Sequence, residues 1–176
     1  DVGIDFDLDK IADVSFRLQG PVTVQRTGSL DLSVHFPGPE TTDGHRDVID
    51  TEILAMTLTA GGYTLRGGAG QGTGGSLQAS NGKILERSSD PTLADSFFDV
   101  FFEVETPSSL KLYNHEPLRV TSVIDCVPPV TSYVHPDTAL ALYDDPVGGT
   151  LVAYLVTARH RVGPHPGWAT AHWVDR

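Results

Sequence analysis

The stretch Ala94–Thr106 reads ADSFFDVFFEVET, with Phe98, Val100, Phe102 and Val104 at alternate positions and Asp99, Glu103 and Glu105 between them. Successive side chains of a β-strand point to opposite faces. This spacing therefore predicts a half-buried strand, with aromatic and β-branched residues inward and carboxylates in water. A helix is the competing reading: Asp90-Pro91 would cap it, and Leu93, Phe97 and Phe101 fall at helical spacing. The density of aromatic and β-branched residues decides for the strand.

The same period recurs in both directions along the chain. At the N-terminus, Val2, Ile4, Phe6 and Leu8 alternate with Asp1, Gly3, Asp5, Asp7 and Asp9. Ala12, Val14, Phe16 and Leu18 follow, set against Asp13, Ser15 and Arg17, until Gly20-Pro21 interrupts the pattern. Val22 and Val24 begin another strand, and Leu30, Leu32, Val34 and Phe36 a fourth, before a Pro- and Gly-containing loop at residues 37–44. Val48–Thr59 reads as a long strand closed by Gly61-Gly62, and Tyr63–Arg66 as a short one. The run GGAGQGTGG, Gly67–Gly75, is predicted to be a loop or tight meandering turn. Further strands are expected at Ile84-Leu85, Leu110–Tyr113, Leu118–Val127, Ala139–Tyr143 and Leu151–Val162. About ten strands at this spacing predict an all-β, antiparallel β-sandwich of jelly-roll or Ig-like type. One domain, 1–176, is expected, with 1–10 a strand that could be exchanged between molecules and 163–176 a tail holding Trp and His.

Composition agrees with a folded globule of 176 residues, 39% of them hydrophobic. A net charge of −11, with no basic run, argues against nucleic acid and against anionic membrane surfaces. No apolar stretch is long enough to insert into a membrane as a helix. The chain begins at Asp1 rather than Met, as expected of a protein whose leader has been removed or of part of a longer one. Its lone cysteine, Cys126, sits in an apolar run and is expected to be a small buried hydrophobe rather than a nucleophile.

Several motifs give way to plainer readings. Gly70, Gly72 and Gly75 match G-x-G-x-x-G, but no βαβ pattern surrounds them, as a dinucleotide site requires. Asp5, Asp7 and Asp9 open like a calcium loop, yet Lys10 and Phe16 stand where an EF-hand needs Gly and Glu. These carboxylates are expected on the solvated face of a strand, where they also discourage edge pairing. Asp144-Asp145 and Asp43, Asp47 and Asp50 are the remaining places where loop oxygens could gather around Ca²⁺, the single cofactor considered. His160, His165 and His172 lack a recognised metal spacing. There is no serine elbow, and Glu103/Glu105 reads as a solvated pair rather than a glycosidase dyad. No catalytic residue is assigned, and the chain is expected not to be an enzyme.

Three runs carry a family likeness: DVIDTEILAMTLT (Asp47–Thr59), ADSFFDVFFEVETP (Ala94–Pro107) and EPLRVTSVIDCVPP (Glu116–Pro129). With Tyr133–Pro136 and Leu142–Asp144, they resemble a recurrent module of large secreted bacterial proteins, over about residues 45 to 160. The resemblance implies an extracellular, β-rich building block and brings no activity or catalytic residue with it.

The function expected is that of an extracellular structural protein, a subunit or module of a secreted or cell-surface assembly, of which a filament is one form. Its partners would be copies of itself or neighbouring modules. An N-terminal strand that left its own domain could complete a neighbour's sheet, with Val2, Ile4, Phe6 and Leu8 as inserted side chains. The alternative for that strand is pairing within its own domain. The alternative function is a carbohydrate-binding module of a secreted protein, in which Trp168, Trp173, Tyr63 or Tyr133 stack on a polysaccharide; the two tryptophans could equally anchor an interface.

Overall fold

The computed structural model describes residues 1–27, 48–87, 89–127, 129–136, 138–163 and 171–174, the last four through their backbone. Fourteen strands form among them. The N-terminal part gives β1 (Val2–Asp5), β2 (Val14–Phe16), β3 (Val22–Thr27), β4 (Val48–Ala60) and β5 (Tyr63–Gly67). The middle gives β6 (Ser80–Arg87), β7 (Asp90–Val100), β8 (Phe102–Glu105), β9 (Lys111–Asn114) and β10 (Leu118–Ile124). The remainder are β11 (Thr131–Val134), β12 (Leu140–Tyr143), β13 (Leu151–Val162) and β14 (Ala171–Val174). The expected all-β, antiparallel, sandwich-like class is what the chain adopts, with more strands than the alternation suggested. The strand expected at Leu30–Phe36 lies outside the described residues, as do Asp43, Asp47, His165 and Trp168.

Hydrogen bonding runs in one path, β11-β10-β7-β6-β4-β5-β8-β9-β12-β13. It returns on itself because β13 is long enough to pair with β12 through Leu151–Leu155 and with β11 through Arg159–Val162. Strand β1 lies along the other edge of β13, so Leu155 has Leu140 on one side and Ile4 on the other. Strand β2 then pairs with β1. On the far side, β3 pairs with β4 and, in parallel, with β14.

The decisive stretch is strand, as expected, but it is two strands. β7 pairs with β6 and β10, whereas β8 pairs with β5 and β9, and the change of partners falls at Phe101. Backbone groups freed by the change need partners, since an unpaired buried amide is costly. Two buried side chains supply them. The Phe101 N–H donates to Ser80 Oγ at 2.9 Å, and the Phe102 N–H to Asn114 Oδ1 at 2.8 Å. The Asn114 amide in turn donates to the Val100 carbonyl at 2.8 Å. Phe98, Val100, Phe102 and Val104 all point into one large apolar core shared with Ile4, Leu58, Leu112, Leu142 and Leu155.

Three expectations about side chains need correcting. Glu103, expected in water, is fully buried, because the Gly67–Gly75 segment folds across its face of the strand. Cys126, expected inside, is exposed: β10 ends at Ile124, and Cys126 lies in the bend that follows. Partial desolvation, then the neighbouring Asp125 carboxylate, hold its thiol above the usual range. Tyr133, offered as a sugar platform, is a core residue whose hydroxyl meets Ser96 Oγ at 2.8 Å.

Candidate functional site

Strands β5, β8 and β9 bring together a group of residues that no local pattern singled out. Arg66 lies opposite Glu103, and Glu103 opposite Tyr113, so the three form one row across three strands. Arg66 Nη1 donates to Glu103 Oε1 at 2.9 Å and to Glu105 Oε2 at 2.8 Å. Glu103 Oε2 accepts from the Tyr113 hydroxyl at 2.8 Å and from the Thr73 N–H at 2.7 Å. Lys111 Nζ reaches Thr73 Oγ1 at 2.6 Å. The glycine run can lie this close because it lacks side chains. At Gly72, where φ is 75°, a Cβ would sit 2.9 Å from Leu77 Cγ and 3.4 Å from Glu103 Oε2.

Burial works to raise the Glu103 pKa, but Thr73, Tyr113 and Arg66 outweigh it and hold the carboxyl below its usual range. The Tyr113 hydroxyl is pushed up to about 12, by burial first and then by the adjacent carboxylate. The proton therefore stays on Tyr113 and the charge on Glu103 across the neutral range. With its two oxygens taken by three donors, the carboxylate serves as an anionic clamp that holds the glycine segment on the sheet. Acid–base chemistry would need a group that gives up or takes a proton near neutrality, and this pair does neither.

The N-terminal segment departs from its expected form. β1 stops at Asp5. Ile4 is fully buried and Val2 and Phe6 pack at the edge of the core, but Leu8 is 42% exposed on a left-handed residue (φ 68°). Strand β1 pairs with its own β13 and β2, which is the within-domain alternative. Nor does Asp5 face water. It is buried, accepting the Leu8 N–H on Oδ1 at 2.8 Å and the Lys10 N–H on Oδ2 at 2.6 Å. Asp13 Oδ2 accepts the N–H groups of Phe6 and Asp7.

Ligand oxygens of Asp5, Asp7 and Asp13 lie within 4.8 Å of one another. Such a set suits a hard cation in kind, yet backbone N–H groups already occupy the Asp5 oxygens and Asp13 Oδ2. The Asp5 pKa is raised by burial but lowered more strongly by the Lys10 and Leu8 N–H groups, and the net direction is down. For Asp7 the Asp9 N–H favours the charge, while desolvation and the carboxylates of Asp5, Asp9 and Asp13 prevail and raise its pKa. The two neighbours therefore respond oppositely to substitution. Asp7→Asn is expected to raise the thermal unfolding midpoint at neutral pH, by removing a charge the loop resists. Asp5→Asn is expected to lower it, because an amide can accept only one of the two N–H groups. Differential scanning calorimetry at pH 7 checks both signs.

The other sequence candidates are dispersed. Asp144 Oδ1 accepts the Thr150 N–H at 2.7 Å and Asp145 Oδ1 the Val147 N–H at 2.9 Å, so each closes its own turn. Among the described residues neither joins a group of three metal-ligating side chains. Tyr63 stacks on Phe16 with ring centroids 4.3 Å apart. Trp173 belongs to β14 through its backbone, paired with Val24.

No family model, curated protein or solved structure matches the chain.

The row Arg66–Glu103–Tyr113 was not legible in the sequence because it depends on strand register. Its one sequence signal is a charged residue in the middle of a Phe-rich strand, together with a nearby glycine run that could cover it.

Proposed function

We propose that the chain is a structural module of an extracellular, β-rich assembly, joined to a second copy by strand addition at the outer edge of β2. The observation that carries this reading is the unpaired edge itself. Among the described strands, β2 and β14 have a partner on one side only. An open strand edge offers a row of backbone donors and acceptors to an extended segment from another chain.

Charge supports the choice of partner. Ser15 and Phe16 of β2, with Arg17 just beyond it, form one wall of an open groove of about 1,290 Å³, whose other walls include Arg119, His135 and Arg159. Three arginines and one carboxylate, that of Asp1, stand among its described lining residues, with Arg17 paired to Asp1 and Arg119 to the neighbouring Asp99. The chain as a whole carries −11. Copies repel one another elsewhere and attract here, so an acidic extended segment of a second copy fits the groove. Because β1 is held inside its own domain, the joint falls at β2 as acceptor rather than at β1 as donor. The extracellular setting is carried over from the resemblance expected over residues 45–160 and is part of the proposal. The carbohydrate alternative rests on Trp168 and Trp173 alone, since Tyr133 is enclosed and one face of Tyr63 is covered by Phe16.

Sedimentation velocity across a concentration series tests the proposal. The wild-type chain is expected to associate, and association should weaken at high salt. Arg17→Glu with Arg119→Glu should leave a folded monomer, since both side chains are in exposed ion pairs of small worth. A wild-type chain that stays monomeric at every concentration reached would sink the reading, as would a double variant that associates as well as wild type.

A further inference from the structure

We infer that the apolar interior beside this groove is a binding cavity for a single-chain aliphatic carboxylate, tail inward and headgroup at the mouth. The cavity measures about 270 Å³ and is walled by Met56, Phe98, Phe102, Leu118 and Val120, all buried members of the main core. Protein interiors rarely leave a void much larger than one water. Apolar voids stay dry and accept apolar guests; roughly 150 Å³ already admits benzene. A void of this size, bounded by side chains from both ends of the chain, is large enough for a flexible hydrocarbon tail.

The mouth specifies the headgroup. The polar lining residues are Asp1, Arg17, Gln19, Ser132, Arg159, His160 and Arg161, three arginines against one carboxylate, that of Asp1, which pairs with Arg17. Arg17 and Arg159 also line the groove, so the cavity opens onto it. Their cationic guanidiniums favour an anion, and the two hydrogen-bonding neutral side chains, Gln19 and Ser132, can accept or donate to its oxygens. Desolvation lowers the His160 ring to about 4, so at neutral pH it adds a neutral hydrogen-bonding group rather than charge. A fully apolar guest would leave this polar end unused, and a cationic one would meet the arginines.

The chain supplies its own reporter, because Met56 is its single methionine. With ¹³C-methyl methionine the protein gives one methyl resonance, from the cavity wall. Decanoate is expected to shift that resonance saturably, acetate to leave it in place, and decyltrimethylammonium to bind about tenfold more weakly than decanoate. Arg159→Glu should weaken decanoate by about threefold or more. Ala158→Phe, which narrows the mouth, should abolish the shift. A resonance unmoved by saturating decanoate overturns the inference. So does equal affinity for the cationic analogue, or unchanged decanoate affinity in both variants. Should Ala158→Phe fail to fold, the Arg159→Glu and cationic arms decide. Measurement at a concentration where sedimentation shows a monomer keeps the result separate from self-association.

Discussion

Glu103→Ala lowers the free energy of unfolding by about 3–5 kcal/mol, the usual cost of breaking a buried ion pair from one side. Glu103 has no exposed side-chain surface; its loss strands two donors, the Tyr113 hydroxyl and the Thr73 N–H, and takes one of two acceptors from Arg66 Nη1. Arg66 retains Glu105 and is 33% exposed, so water softens its share and the lower half of the range is expected. Glu103→Gln keeps the shape but turns an amide N–H₂ towards donors, so it recovers only part of the loss. Urea unfolding monitored by fluorescence measures both, and a Glu103→Ala midpoint equal to wild type would show that the clamp holds nothing. The pH dependence has two signs. Because the folded pKa of Glu103 is lowered, its contribution is complete above the ordinary glutamate range and is lost as pH falls through the lowered value. Tyr113, raised from 10.0 to about 12, contributes fully below its ordinary value and loses that contribution as pH climbs between the two. Tyr113→Phe should therefore flatten the alkaline limb and, by removing one of the donors that lowers the Glu103 pKa, shorten the acid limb as well, leaving the part held by Thr73 and Arg66.

Ile4→Ala and Leu8→Ala, identical in kind by sequence pattern, are expected to differ by several kcal/mol. Ile4 is 0% exposed and packs in the main core, so truncation removes its transfer energy and leaves a cavity, together about 3 kcal/mol. Leu8, 42% exposed beyond the end of β1, should cost within about 0.5 kcal/mol. Chemical denaturation of the two variants measures the difference. Equal costs would mean that the alternation continues past Asp5, in conflict with where the strand stops.

The same pair shows how far alternation can be read. Period two located most strands around the core, because a residue facing a dry interior must be apolar whatever its partners are; it passed over β11 and β14, each only four residues long. It overran at Leu8 because nothing in a side-chain pattern marks where the ladder ends. That is decided by Asp5 and Asp13, whose carboxylates accept backbone N–H groups and turn the chain. It misplaced Glu103 because burial of a charge depends on which residues register brings opposite it. Arg66 is 37 residues away in sequence, and no local window holds both. It misplaced Cys126 for a simpler reason: an apolar run continued two residues past the end of β10. The groove and cavity were out of reach for the same cause as the clamp, since β1, β2, β10, β11 and β13 wall the groove and the cavity adds β3, β4, β5, β7 and β8.

Pairing of Val2 with Ala158 also sets a timetable for synthesis. Strand β1 cannot dock on β13 until all the chain between them has been made, so this closure is a late, high-contact-order event. Until then a sticky segment must wait in solution. Four aspartates among residues 1–9 keep it dispersed, and one of them, Asp5, surrenders its hydration only when β13 arrives.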